Sequence, residues 1–178
     1  MEFRSPDPNA LVRAANVKAT LDAFKSIPTL GKSFVHKHFK PDELREDNYV
    51  PVQRWLDALA EIRDEVGEPT LREVGRHIVV NADFPPELGT VKDVLMALDT
   101  IYHLNHKGEV GHYLSSVEKG GAIVVRCETP YPRSFERGLV EGISHNPRLL
   151  KPGERFQVRY TDGPPGGRLT CTLHVKAL

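Results

Sequence analysis

The feature that most constrains this chain is a change of hydrophobic period at Gly108. Before it, apolar residues return every three to four positions; after it they alternate. The first rhythm covers one face of a helix and the second covers one face of a strand. Helices first and strands afterwards lead to an α+β fold, an antiparallel sheet with helices packed on one side.

In the helical half the clearest pattern starts at Pro51. Val52, Trp55, Leu56, Leu59, Ile62 and Val66 share one face, Arg54, Asp57, Glu61, Arg63 and Asp64 lie mostly away from it, and Gly67 ends the run. Thr70 with Glu73 reads as a capping box for a second helix with Leu71, Val74 and Ile78 inward. Thr90 with Asp93 opens a third, carrying Val91, Val94, Leu95, Leu98, Ile101 and Tyr102 and predicted to run to Gly108. A weaker pattern predicts a helix over Ala10–Lys25, stopped at Ser26-Ile27-Pro28, and Asn81–Gly89 is predicted as loop. Residues 1–9, polar with Pro6 and Pro8, read as a flexible leader ahead of one domain over 10–178.

In the strand half, His112–Val117 and Ala122–Arg126 flank Lys119-Gly120-Gly121, a hairpin signal. After Pro130–Pro132, the residues Phe135, Leu139, Val140 and Ile143 form a helical face that ends near Asn146-Pro147. Phe156, Val158 and Tyr160 then alternate with polar residues, as do Leu169, Cys171, Leu173 and Val175 beyond the Gly163–Gly167 turn. The predicted order is N-terminal helices followed by a β-β-α-β-β antiparallel sheet.

Composition narrows the function. A chain of 178 residues buries one core with room for a pocket. Its 24 Lys and Arg balance 24 Asp and Glu, so no excess charge supplies the counterion release that drives nucleic-acid binding. No apolar run reaches the ~18 residues of a membrane span, and the start lacks the apolar segment of a signal peptide. The two cysteines, Cys127 and Cys171, then read as reduced thiols of a cytoplasmic protein. Gly31-Lys32-Ser33 is an incomplete phosphate loop, because Ser26 stands where its first glycine is needed. Neither a Gly-x-Ser-x-Gly elbow nor a His-Glu-x-x-His helix is present, and no acid–base pair of carboxylates stands out.

Two segments carry a family resemblance. Glu128–Ile143 combines a strand end, the step Pro130-Tyr131-Pro132, and a helix with Gly138 and Gly142 four apart; Gly166–Val175 combines glycines, Cys171 and an alternating strand. Over about residues 50–178 the chain resembles the bacterial-type H-NOX and 4-vinyl-reductase superfamily, whose fold also relates to TRAPP-type tethering subunits. More weakly, Leu98-Asp99-Thr100-Ile101-Tyr102 is similar to the end of the helix that carries the proximal haem histidine. The resemblance implies a ligand pocket lined by Tyr102, His106, Val125, Cys127, Gly138 and Gly142. It also shows departures. The proximal histidine position falls on Tyr102, with His103 next to it. The Tyr-x-Ser-x-Arg positions that grip haem propionates fall on Val125, Cys127 and Thr129, which removes a bidentate arginine contact. A cysteine that other relatives carry after Pro-Tyr-Pro is Arg133 here. Haem therefore stays open as the cofactor.

Eight histidines give the other candidates. His103 and His106 lie one helical turn apart, a spacing that can share a metal; solvated or hydrogen-bonded rings are the alternative. His36 and His38, read as a strand with Phe34, would share one face without an evident third ligand. Tyr102 is either a core ring with a bonded hydroxyl or a contact to the ligand, axial to iron included. Trp55 reads as core, and Arg133 and Arg137 as a solvated face or an anion site. The sequence thus points to a non-catalytic sensor that binds a hydrophobic small molecule or tetrapyrrole and acts through a signalling partner. The alternatives are a homodimeric TRAPP-like scaffold and a haem- or metal-dependent enzyme.

Overall fold

A computed structural model describes residues 2–24, 33, 36–80, 84–85, 87–165 and 167–178. The chain opens on a strand, β1 (Leu11–Arg13), where a helix was expected. Antiparallel partners on both sides, β2 (Tyr49–Pro51) and β3 (His106–Lys107), satisfy its backbone and outweigh a weak local helical pattern. The helix α1 (Ala14–Ala19) and a 3-10 turn over Thr20–Phe24 follow. Lys25, the Ser26-Ile27-Pro28 stop, Gly31, Lys32 and Phe34 lie outside the described residues.

Helix α2 (Val52–Val66) forms where predicted, with Val52, Trp55, Leu56, Leu59 and Ile62 buried, Val66 exposed at its last turn, and Gly67 closing it at φ 91°. Helix α3 (Glu68–Val80) begins earlier than the capping box implies. Pro69 suits a first helical turn, where its missing N–H costs nothing, and Thr70 instead donates its hydroxyl to the Val66 carbonyl at 3.3 Å. Thr90 does cap α4 (Val91–Met96), accepting the Asp93 N–H at 3.2 Å. The third helix breaks at Ala97, and α5 (Leu98–Leu104) ends at Asn105, so His106 belongs to a strand.

The main sheet has the order β4-β5-β7-β6, all antiparallel: β4 (His112–Val117), β5 (Ile123–Glu128), β6 (Phe156–Asp162) and β7 (Cys171–Ala177). Helix α6 (Arg133–Ser144) connects β5 to β6, which completes the expected β-β-α-β-β unit. The small sheet β2-β1-β3 was not anticipated.

Helices α3 and α6 meet almost backbone to backbone. A Cβ at Gly138 would overlap the Arg72 carbonyl, and one at Gly75 would overlap that of Phe135. Beside this contact Glu141, 3% exposed, accepts two hydrogen bonds from Arg72 at 2.6 Å, one from Arg76 at 2.9 Å and one from Arg137 at 3.0 Å. Residues 2–9 make hydrogen bonds to later parts of the chain. The Phe3 N–H donates to the Pro130 carbonyl at 2.8 Å, the Ser5 N–H to Gln53, and Glu2 pairs with Arg133. These contacts hold because Phe3 has core residues to pack on. Among the described residues no helix is long and apolar enough to cross a membrane.

Candidate ligand cavity

A cavity of about 550 Å³ lies between the helices and the sheet. Its inner end is aromatic: Trp55 from α2, Tyr102 from α5, Tyr113 from β4, and Tyr131 and Phe135 around the start of α6. Ile78, Leu98, Ile101, Leu139 and Ile143 extend the apolar wall, and Arg13, Asn16, Glu46, Asp47 and Asn105 make a polar margin. The rings hold one another. Tyr131 stacks on Phe135 at 5.1 Å between centroids, Trp55 meets Tyr131 edge-on at 5.1 Å, and Tyr102 meets Tyr113 edge-on at 5.0 Å.

His106 is the cavity's buried imidazole, 8% exposed and 4.1 Å from the Tyr102 ring. Its Nδ1 lies 2.8 Å from the Tyr102 carbonyl oxygen, which only accepts, so Nδ1 carries the proton. Nε2 is then the acceptor for the Tyr131 hydroxyl at 2.7 Å. Burial pushes the pKa of His106 down to about 4, so the ring is neutral at pH 7. The Tyr102 hydroxyl donates to the Val110 carbonyl at 2.8 Å, and burial drives its pKa well up.

Two wall residues have unspent donors. Trp55 Nε1 and Arg13 Nε are buried and have no hydrogen-bond partner among the described residues. Behind Tyr113, the fully buried Glu136 accepts the hydroxyls of Tyr113, at 2.6 Å, and Thr129. Burial, only partly offset by those bonds, raises its pKa to about 7.

Of the residues expected to line a pocket, Tyr102 and His106 do so together. Val125 and Cys127 do not: both are buried in β5, and Cys127 sits across from Cys171 on β7. Gly138 and Gly142 face α3 rather than a ligand. The proposed metal pair is separated, because ending α5 at Asn105 turns His106 inward, whereas His103 lies at the surface beside Asp99 and His112. His36 and His38 are helical, not extended; His36 is exposed and His38 bonds Glu61 at 2.9 Å. Arg133 is spent on Glu2 and Asp162, and Arg137 on Glu141. Sequence reading did not assign Arg13, Tyr113, Tyr131 or Glu136 to a site. The Pro130-Tyr131-Pro132 step was the visible signal for Tyr131; the sequence around Arg13 and Glu136 carries no signal of a site.

These features define an α+β fold with a tyrosine- and histidine-lined cavity, open to solvent, between its helices and sheet. No protein-family profile and no curated protein matches the chain. Solved H-NOX structures do. An H-NOX protein from S. oneidensis in the Fe(II)NO ligation state superposes with a TM-score of 0.69 at 11% identity, covering 93% of this chain and 99% of that one. A point variant of Tt H-NOX gives 0.64 at 14% identity, covering 93% and 94%. A structure concerned with heme distortion in the H-NOX family gives 0.62 at 15% identity, covering 92% and 94%. The chain has the H-NOX fold, as the resemblance implied.

Proposed function

We propose that this protein is a non-catalytic sensing module whose cavity binds a flat, largely apolar ligand carrying an acceptor or anionic group. The observation that carries this reading is the pair of buried donors, Trp55 Nε1 on the aromatic inner wall and Arg13 Nε on the polar margin, that have no hydrogen-bond partner among the described residues. Each buried donor left unmet costs about 1–3 kcal/mol, which a ligand oxygen recovers. A tetrapyrrole combines the flat apolar body with carboxylates.

The wall residues also fit haem. His106 is neutral, and its Nδ1–H is held by a backbone carbonyl, the arrangement that orients a metal-bound histidine. Its Nε2 becomes available once the Tyr131 hydroxyl turns away. Val125, Cys127 and Thr129 offer no cation to a carboxylate, whereas Arg13 does. Haem, when bound, would supply an iron centre able to take a further small ligand. Occupancy would bias α5 through Tyr102, for a partner protein to read.

The test is titration of the purified chain with haemin, iron-free protoporphyrin and a C16 fatty acid. We expect saturable binding of one equivalent of a tetrapyrrole, weakened by Arg13→Gln. A Soret band that changes in His106→Ala with haemin, but not with protoporphyrin, would assign His106 as the residue that holds the iron. Failure of all three compounds to bind would overturn the reading.

A further inference from the structure

On the outer side of the cavity wall, Asp99, His103 and His112 converge. His103 Nδ1 and His112 Nδ1 lie 3.5 and 3.3 Å from the same oxygen, Oδ1 of Asp99. One ligand atom from each of the three residues lies within 4.8 Å of the other two. The two nitrogen–oxygen separations are longer than a good hydrogen bond. They match the edge of a tetrahedron around zinc, since metal–ligand bonds of about 2.0–2.1 Å set neighbouring ligand atoms roughly 3.3–3.4 Å apart.

The donors are also held for the purpose. Asp99 and His103 stand one turn apart on α5, and His112 begins β4. The carboxylate is anchored by the Tyr113 N–H, which donates to Oδ1 at 2.9 Å. His103 Nδ1 donates to the Asp99 carbonyl oxygen at 2.9 Å, which keeps the ring on the Asp99 side; an ion bound at Nδ1 takes the place of that proton and its hydrogen bond. Both imidazoles are solvent-reachable, with side chains 38% and 51% exposed, so modest rotation brings them onto one ion.

We propose that Asp99, His103 and His112 bind one divalent transition-metal ion, zinc fitting best, with solvent completing its coordination. The sequence neighbours of the two imidazoles, Tyr102 and Tyr113, both wall the cavity. A metal here therefore ties α5 to β4 directly outside two of the wall's rings. The proposal does not depend on what the cavity holds.

The test uses the untagged full chain without cavity ligand, titrated calorimetrically with Zn²⁺ and spectroscopically with Co²⁺. The expected result is one equivalent of either ion, with the visible bands of a low-coordinate Co²⁺ site. Asp99→Asn, His103→Gln and His112→Gln should each weaken binding by at least about tenfold, with circular dichroism unchanged, and His145→Gln should not. Absence of saturable binding, or unchanged affinity in any of the three site variants, would overturn the proposal.

Discussion

Tyr131 donates its hydroxyl proton to Nε2 of His106 across 2.7 Å, and the same imidazole donates from Nδ1 to the Tyr102 carbonyl. The ring is thereby fixed in one tautomer, with both nitrogens spent while no ligand competes. Removing the hydroxyl in Tyr131→Phe leaves Nε2 buried without a donor. A loss of about 1–3 kcal/mol is expected in urea unfolding at pH 8.

Protonation of His106 gives a distinct pH signature. Burial lowers its folded pKa to about 4 from 6.5, so between these values the unfolded chain binds more protons. The stability this group allows is complete above about pH 6.5 and is lost as pH falls through about 4. The full span is on the order of 3 kcal/mol. Melting curves of the parent and His106→Gln should therefore converge or cross on acidification below pH 6.5. A parallel pair of curves would show that the imidazole titrates normally.

Glu136 acts in the opposite direction. Burial raises its folded pKa to about 7 from 4.5, so the folded chain binds more protons between these values. The associated stability is complete below about pH 4.5 and is lost as pH rises through about 7. Glu136→Gln removes the charge while its side chain still reaches the hydroxyls of Tyr113 and Thr129. The variant should gain on the parent as pH rises over this window, and the gain should be flat below pH 4.5.

Legibility in the sequence followed the range of the interactions. Helix α2 and the β-β-α-β-β unit were readable because local period and turn residues agree there, as in Trp55–Ile62 and at Gly120-Gly121. Strand β1 was not, because Val12 is held by partners at Val50 and His106, far away in sequence. The site shows the same division. Tyr102 was visible from its place on an apolar stripe, but His106 was assigned to a helix that ends two residues before it. Glu136 was not legible, since nothing in its sequence neighbours announces that the hydroxyls of Tyr113 and Thr129 meet it inside.

The α3–α6 contact makes Gly138 and Gly120 behave differently under the same substitution. A Cβ at Gly138 meets the Arg72 carbonyl, a backbone atom that cannot swing aside, so Gly138→Ala must push the helices apart. A cost of about 1–3 kcal/mol is expected. A Cβ at Gly120 meets nothing within 4 Å, and Gly120→Ala should leave the melting temperature unchanged or slightly higher. Equal effects at the two positions would mean that the helices are not in backbone contact.

Glu141 joins the same two helices by charge, and its partners are not equivalent. Burial pushes its carboxyl pKa up, but hydrogen bonds from Arg72, Arg137 and Arg76 together hold it below the usual carboxylate range. The stability it contributes is present above about pH 4.5 and is lost as pH falls through that lowered value. Arg72 grips both oxygens at 2.6 Å from the facing helix, whereas Arg137 reaches one oxygen at 3.0 Å from the same helix, four residues earlier. Glu141→Gln should cost most, since it removes the shared acceptor of three guanidinium groups. Arg72→Ala should cost less, because Arg76 and Arg137 still face the carboxylate, and Arg137→Ala least of all. The arginines are 34–38% exposed and can turn to water, so about 2 kcal/mol, below the value for a fully buried pair, is expected for Glu141→Gln. Urea unfolding of the three variants at pH 7 should give that order, and at pH 3 the cost of Glu141→Gln should shrink.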